Sequence, residues 1–393
     1  MRIIIAVLVM LASAAAFAAQ PVTTLPDEHI SNLKRLAPGL KVSPDLVAFM
    51  KEVVYSHDHL DLDARIEAMS RLSGVQDLPE DQRMSWTICI WDPVGRNGPI
   101  FGAAKEQQAR ALELGVKLDL VPFTTEGVLA DELKSNRCDA ALMTGMRARN
   151  FNLFTGTIDA IGALPTDAHM KTLLHVVAHP KTAGKMVQGP YVVMGVFPGG
   201  GAYVFVNDRE INTLAKAAGK KVAVLDSDPT QAEMVAGVGA TPIATDITRA
   251  PGMFNNGVVD VLAAPLMAYE IMELYKGMEP DGGIIDYPLA QITMQLVGHA
   301  DTFPNEMAQL IREMTLQHYD RIMTMIHREE SVVPKRWFID LPEKDKREYE
   351  VMMQQARIEL RERGYYHSEM LSLQRKIRCK IDQSRAECAN PVE

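Results

Sequence analysis

The feature that most constrains this chain is a strand and helix alternation that occurs twice. The first run reads as a strand over Trp86 to Trp91, a helix over Ala103 to Leu114, a strand over Val116 to Phe123, a helix over Thr125 to Ser135 and a strand over Ala140 to Thr144. Short β-branched and apolar runs mark the strands, and apolar residues at three- and four-residue spacing mark the helices. Such alternation predicts parallel strands joined by right-handed crossovers, in a sheet that binds ligands beyond the carboxyl ends of its strands. Those ends are Trp91 and Asp92, Phe123 and Thr124, and Thr144 and Gly145.

The second run opens after Gly199-Gly200-Gly201, read as a hinge between two α/β lobes because no lysine or strand-to-helix context makes it an anion cradle. It has a strand over Ala202 to Val206, a helix over Ile211 to Ala218, a strand over Val222 to Leu225, a helix over Pro229 to Val238, an extended run over Pro242 to Thr245 and a strand over Val258 to Ala263. Asp27 to Gln82 is a polar helical preface, with Leu46, Phe49, Met50 and Val53 at helical spacing, and Asn305 to Arg375 is mostly helical and charged. The expected layout is therefore a helical segment over 19–85, a first α/β lobe over 86–198, a second over 199–300, and C-terminal helices over 301–393 that pack on both lobes.

Residues 1–18 read as a cleavable signal peptide. Arg2 precedes the apolar run Ile3 to Leu11, and Ala16-Phe17-Ala18 fits the small-residue cleavage pattern, so the mature chain is expected to begin at Ala19 outside the cytoplasm. The apolar run is well short of the ~20 residues a spanning helix needs. A net charge of −9 disfavours nucleic acid and anionic lipid as partners. Export gives the four cysteines an oxidising compartment, where Cys379 and Cys388 are expected to bridge. Cys89 and Cys138 fall on strands that neighbour each other in the common doubly wound order, and read equally as a bridge or as two buried thiols.

In the second lobe, Gly219-Lys220-Lys221-Val222, Val238-Gly239-Ala240-Thr241-Pro242, Gly257-Val258-Val259-Asp260 and Pro265 follow one another in a distinctive order and spacing. They resemble the second lobe of TRAP-type periplasmic solute-binding proteins, where a strand "G-L-K-I-R-V-P" leads to "L-G-A-x-P" and then to "A-L-Q-x-G-x-V-D-G-x-E-N-P". The specific likeness spans Gly219 to Pro265, and the looser order of elements extends it back to Trp86. The resemblance implies a two-lobed periplasmic-binding-protein-like α/β fold with parallel-rich sheets, closure on a small molecule, and delivery to an integral membrane permease. It also locates two departures. The family's carboxylate-clamping arginine falls at Ala223, and its ligand-contacting asparagine at Ala264. Alanine removes the two-pronged donor that suits an organic acid.

Catalytic motifs are missing: there is no G-x-S-x-G elbow, no H-E-x-x-H zinc helix and no G-x-x-x-x-G-K-[ST] loop. The chain is read as a binding protein without a cofactor. His57-Asp58-His59-Leu60-Asp61-Leu62-Asp63 offers zinc ligands, yet Asp-capped helix termini account for the same residues. Asp228, Pro229 and Gln231 read as a capping box, which with Asp226 makes that helix start acidic.

Candidate ligand-binding residues are Trp91, Asp92 and Thr144 at the strand ends, Arg147 as a replacement clamp from the first lobe, Tyr203 beside Trp91 as an aromatic wall, Asp226 and Gln231 at the capped helix, and Asp246 and Asn255 on the second lobe. Arg149 is the weaker partner of Arg147, being farther from the strand end. Tyr269 reads more readily as core. This acidic, amide-rich second lobe points to a neutral or cationic ligand, because a carboxylate held there loses hydration without a charged partner. The alternative to a transport role is an exported sensor or an accessory protein of an envelope complex that keeps the binding-protein fold.

Overall fold

A computed structural model describes residues 43–52, 61–79 and 82–393. The expected signal peptide over 1–18, His57, Asp58 and His59 lie outside these residues. Ten strands form one sheet: β1 Met84–Trp91, β2 Val116–Phe123, β3 Ala140–Thr144, β4 Val187–Gln188, β5 Tyr191–Val206, β6 Lys221–Leu225, β7 Thr241–Thr245, β8 Val261–Pro265, β9 Gly283–His299 and β10 Phe338–Ile339. Its main path is β2-β1-β3-β9-β5-β8-β6-β7. The outer groups β2-β1-β3 and β8-β6-β7 are parallel, as their βαβ alternation requires. The two central strands β5 and β9 run antiparallel to each other and to their neighbours β8 and β3.

The central pair replaces the expected break between lobes. Gly199 to Gly201 lie inside β5, which continues without interruption from Tyr191 to Val206. Tyr191–Pro198 pair with the second half of β9, and Gly201–Val206 with its first half, so each strand serves both lobes and residue 199 divides one strand instead of two domains. The ladder shifts register between Val193 and Gly195, between Pro198 and Gly201, and between Ala202 and Val204. Proline and glycine, which weaken a regular ladder, sit at these shifts. Gly200 has φ +83°, and a Cβ there would lie 3.1 Å from Ile326 Cγ2. The expected helix over Ile211 to Ala218 reduces to a single 3₁₀ turn, Ala215–Ala217. Neither β9 nor the first half of β5 was anticipated.

Strand β1 is buried on both faces: Trp86, Ile88 and Ile90 join one core layer, and Cys89 and Trp91 the other. Neighbouring β1 and β3 bring Cys89 and Cys138 to a Cα separation of 5.8 Å, bridged as a disulfide. Cys379 and Cys388 are bridged across 5.5 Å.

Helix Leu62–Ser73 begins at Asp61, whose carboxylate accepts from the Ala64 amide at 2.8 Å, while Asp63 lies in the first turn. It is fastened to helix Asn305–Gln317 by a buried two-pronged pair, Arg65 with Glu313. Two later helices, Glu343–Glu362 and Ser368–Ile381, reach both lobes. Arg363 just after the first pairs with Glu233 of the second lobe, and Glu369 of the second pairs with Lys185 of the first lobe. Among the described residues no helix is long and apolar enough to cross a membrane.

Candidate functional site

A cavity of about 1540 Å³ opens between the lobes. Strands β1, β3, β6, β7 and β8 each present their last residue to it: Trp91, Thr144, Leu225, Thr245 and Pro265. The parallel strands of both lobes thus converge on one space, where open α/β sheets bind ligands. The crossing strands β5 and β9 contribute Ala202, Ala290 and Ile292.

The polar centre is built after β3. Thr144 caps the short helix Gly145–Ala148, and its own amide donates to buried Glu126 at 2.6 Å. Burial is the main influence on Glu126 and raises its pKa. Arg147 turns toward this carboxylate, 3.7 Å away, and is not part of the cavity wall. Arg149 is part of it. Its Nε donates to the Gly156 carbonyl at 3.2 Å, its guanidinium lies 4.3 Å from the Tyr365 ring centre and 5.1 Å from that of Tyr366, and its Nη1 stands 3.8 Å from Asp228 of the second lobe. Nη1 has no hydrogen-bond partner, and neither has the buried hydroxyl of Thr245, a cavity-lining residue of the second lobe. Asp159 completes the centre: it accepts from the Thr293 amide at 3.1 Å and hydroxyl at 2.5 Å on β9, and burial pushes its pKa up to about 7.

On the second lobe, Asp228 accepts from the Thr230 amide and so caps helix Pro229–Gly237. Gln231 departs from the capping box: its oxygen accepts from the Leu225 amide, while its nitrogen donates to Asp228 at 3.2 Å and faces the Met146 sulfur at 3.9 Å. Gln231 lines the cavity, and so do Ala223 and Ala264, the positions of the two family departures. Trp91 lines it too, with its indole N–H donating to the Thr124 carbonyl.

The other candidates lie elsewhere. Asp92 is fully buried, accepting from the Val94 and Phe101 amides, and holds the β1 turn together. Asp226 is exposed, Asp246 caps its own turn through Thr248 and Arg249, and Asn255 donates to the Met272 carbonyl. Tyr203 packs with the second-lobe core, and burial pushes its pKa up to about 12. Tyr269 is core, its hydroxyl accepting from Trp337. Nearness to the end of β3 favours Arg147, but the helical turn Gly145–Ala148 directs Arg147 to Glu126 and leaves Arg149 in the cavity wall. Asp159, Met146 and Thr245 carry no motif, and only the fold brings them together.

The family model described as Solute-binding protein AdeT 1/2 matches residues 109–393. A probable solute-binding protein AdeT1 of Acinetobacter baumannii is 39% identical over 303 residues, covering 76% of this chain and 99% of that protein. A probable solute-binding protein AdeT2 of the same organism is 25% identical over 233 residues, covering 59% of this chain and 98% of that protein. Among solved structures, a TRAP periplasmic solute-binding protein from Desulfovibrio salexigens with bound orotic acid has a TM-score of 0.64 at 15% identity, covering 76% of this chain and 99% of its own. One from Haemophilus influenzae with bound L-gulonate has a TM-score of 0.62 at 12% identity, covering 75% and 99%. These likenesses agree with the two-lobed sheet and the cavity at its strand ends: the chain belongs to the AdeT 1/2 family of solute-binding proteins and has the fold of TRAP periplasmic binding proteins.

Proposed function

We propose that this protein, exported and cleaved after Ala18, closes its two lobes on a small solute in the periplasm and presents it to an integral membrane permease of TRAP type, without covalent chemistry. The observation that carries this reading is the convergence of five strand ends from both lobes on one cavity, whose lining residues include Arg149 of the first lobe and Thr245 of the second. A solute that contacts strand ends of both lobes favours closure.

The solute is neutral or cationic. The structural relatives named above hold orotic acid and L-gulonate, but here alanine lines the wall at the two positions, Ala223 and Ala264, where the sequence resemblance implies an arginine and an asparagine. Arg149 of the cavity wall already faces Asp228, Arg147 is turned to Glu126, and Asp159 lies in the same wall as Arg149. A carboxylate entering this space competes with Asp228 for Arg149 and meets Asp159. The substitutions Ala223 and Ala264 also support a second reading, an exported sensor or envelope accessory protein whose partner reads the closed form.

Thermal-shift screening of the purified mature protein tests the first reading. A hundredfold excess of a true ligand over its dissociation constant adds ~2.7 kcal/mol of stability. Neutral or cationic solutes are expected to raise Tm, and Arg149→Ala or Thr245→Val to weaken that shift. A strong shift with small organic acids, lost in Arg149→Ala, overturns the charge assignment.

A further inference from the structure

The stretch of cavity wall from Thr157 to Ala163, in which Asp159 and Ile161 line the cavity, is held from behind by the C-terminal helices. Four of its carbonyls accept from their side chains: Gln374 donates to Thr157 and Ile158 at 3.2 and 2.9 Å, Arg357 to Ile161 at 2.8 Å and Arg378 to Ala163 at 2.8 Å. Gly162, at φ +62°, lets Arg357 come close, since a Cβ there would lie 3.0 Å from its Nη1. The two arginines are in turn held by the tail. Arg378 makes a two-pronged pair with Glu387, at 2.7 and 2.6 Å, and donates to Glu393 at 2.6 Å, while Arg357 donates to the other oxygen of Glu393 at 2.7 Å. The side chains of Arg378 and Glu393 are fully buried. Charges taken out of water in this way favour hydration, so the cluster persists only while its donors and acceptors are kept in register. The register is covalent: Cys379 follows Arg378, Cys388 follows Glu387, and the two cysteines are bridged. Both are half-buried, whereas Cys89 and Cys138 are each only 1% exposed.

We infer that the Cys379–Cys388 disulfide is a redox-sensitive brace of the cleft: opened by a dithiol reductant, it lets Glu387 and Glu393 withdraw from Arg378 and Arg357 and loosens the wall from Thr157 to Ala163. The dithiol supplies two electrons and two protons, the S–S bond becomes two thiols, and the reductant closes into its own disulfide. The inference concerns the wall itself and rests neither on the identity of the solute nor on a permease.

The test is amide hydrogen exchange on the whole mature protein, oxidised and after dithiothreitol, with thiol alkylation and peptide mapping to show that Cys379–Cys388 is open and Cys89–Cys138 intact. The wall offers protected amides to follow, among them Ile158, which donates to the Thr155 carbonyl at 3.0 Å, and Gly162, which donates to the Leu289 carbonyl of β9 at 2.6 Å. Reduction should speed exchange between Thr157 and Ala163 at least about tenfold while β6 and β7 keep their rates, and reoxidation should restore protection. Cys379→Ser/Cys388→Ser should exchange fast in this stretch with or without dithiothreitol. Glu393→Gln keeps the disulfide but weakens its contacts with both arginines, and should give part of the same rise under oxidising conditions. Unchanged exchange in this stretch with Cys379–Cys388 open overturns the proposal. So does an equal rise in β6 and β7, which makes the bond a general brace of the fold, and so do wild-type rates in Glu393→Gln, which take the buried ion pairs out of the path.

Discussion

Asp159 shows how a single buried group links the floor of the cleft to pH. It receives two hydrogen bonds from Thr293 and feels Arg149, all of which favour its charged form, yet desolvation outweighs them and takes its pKa from 3.8 to about 7. Glu126 adds to the upward shift. Because the folded protein holds this proton more tightly than the unfolded chain, the stability it contributes is fully present below pH 3.8 and is lost as pH rises through 7. Buried His169 works in the opposite sense: burial and neighbouring Arg385 and Arg378 lower its pKa to about 4, so its contribution is present above pH 6.5 and is lost as pH falls through 4. Subtracting an Asp159→Asn curve from the wild-type curve removes the histidine term. Between pH 4 and 7 that difference should fall steadily, by on the order of a few kcal/mol. A flat difference in denaturant melts across this range sinks the assignment.

At the scale of elements, the two disulfides fasten different layers. Cys89–Cys138 ties β1 to the loop before β3, across a sequence separation of 49, whereas Cys379–Cys388 closes a separation of 9 at the chain's end. Loop-closure entropy assigns the first about 4 kcal/mol and the second about 3 kcal/mol. The Cys89→Ser/Cys138→Ser pair should therefore lower Tm more than the Cys379→Ser/Cys388→Ser pair, and the reverse order in calorimetry contradicts that account. The smaller loop braces a second device: buried Arg378 donates to Glu387 and Glu393 at 2.6 Å and to the Ala163 carbonyl at 2.8 Å, while Arg357 donates to Glu393 and to Ile161. This network holds the loop that carries Asp159.

The flanking parallel strands were legible because each is short, apolar and followed by a helical period, and β2 and β3 have the bounds the sequence suggests. The central pair was not. Gly199 to Gly201 read locally as a hinge, and only the pairing of Gly195, Pro198 and Gly201 with β9 makes this stretch strand. The cleft was legible as a place, through the strand ends Trp91 and Thr144, but its charged residues depend on where helix Gly145–Ala148 and the loop to Asp159 turn, which no spacing rule records.

At the scale of the molecule, the question is what holds the lobes together and what lets them part. Among the described residues three polar contacts cross the cleft, beside the packing of Ile247 on the first-lobe core: the Thr248 hydroxyl donates to the Thr124 carbonyl at 3.0 Å, Gln231 faces Met146, and Arg149 faces Asp228. Each polar contact is single and modest, of the order of 1 kcal/mol. Opposite them, β5 and β9 pass continuously between lobes, so opening must bend these strands where their ladder is already irregular, beside Pro198 and Gly201. A closed state held by a few weak contacts and hinged on an irregular ladder is one whose population a ligand shifts readily. Removing two of those contacts by Thr248→Val with Asp228→Asn should widen the ligand-free particle in solution scattering, while a bound solute draws it back toward the wild-type radius. Gly200→Val should act at the hinge instead, since φ +83° and the nearby Ile326 oppose a branched side chain. It should slow or limit closure, and amide exchange along Gly199 to Gly201 should change even without ligand. If a verified ligand leaves the scattering radius of wild type and both variants equal, the lobes do not hinge on this crossing.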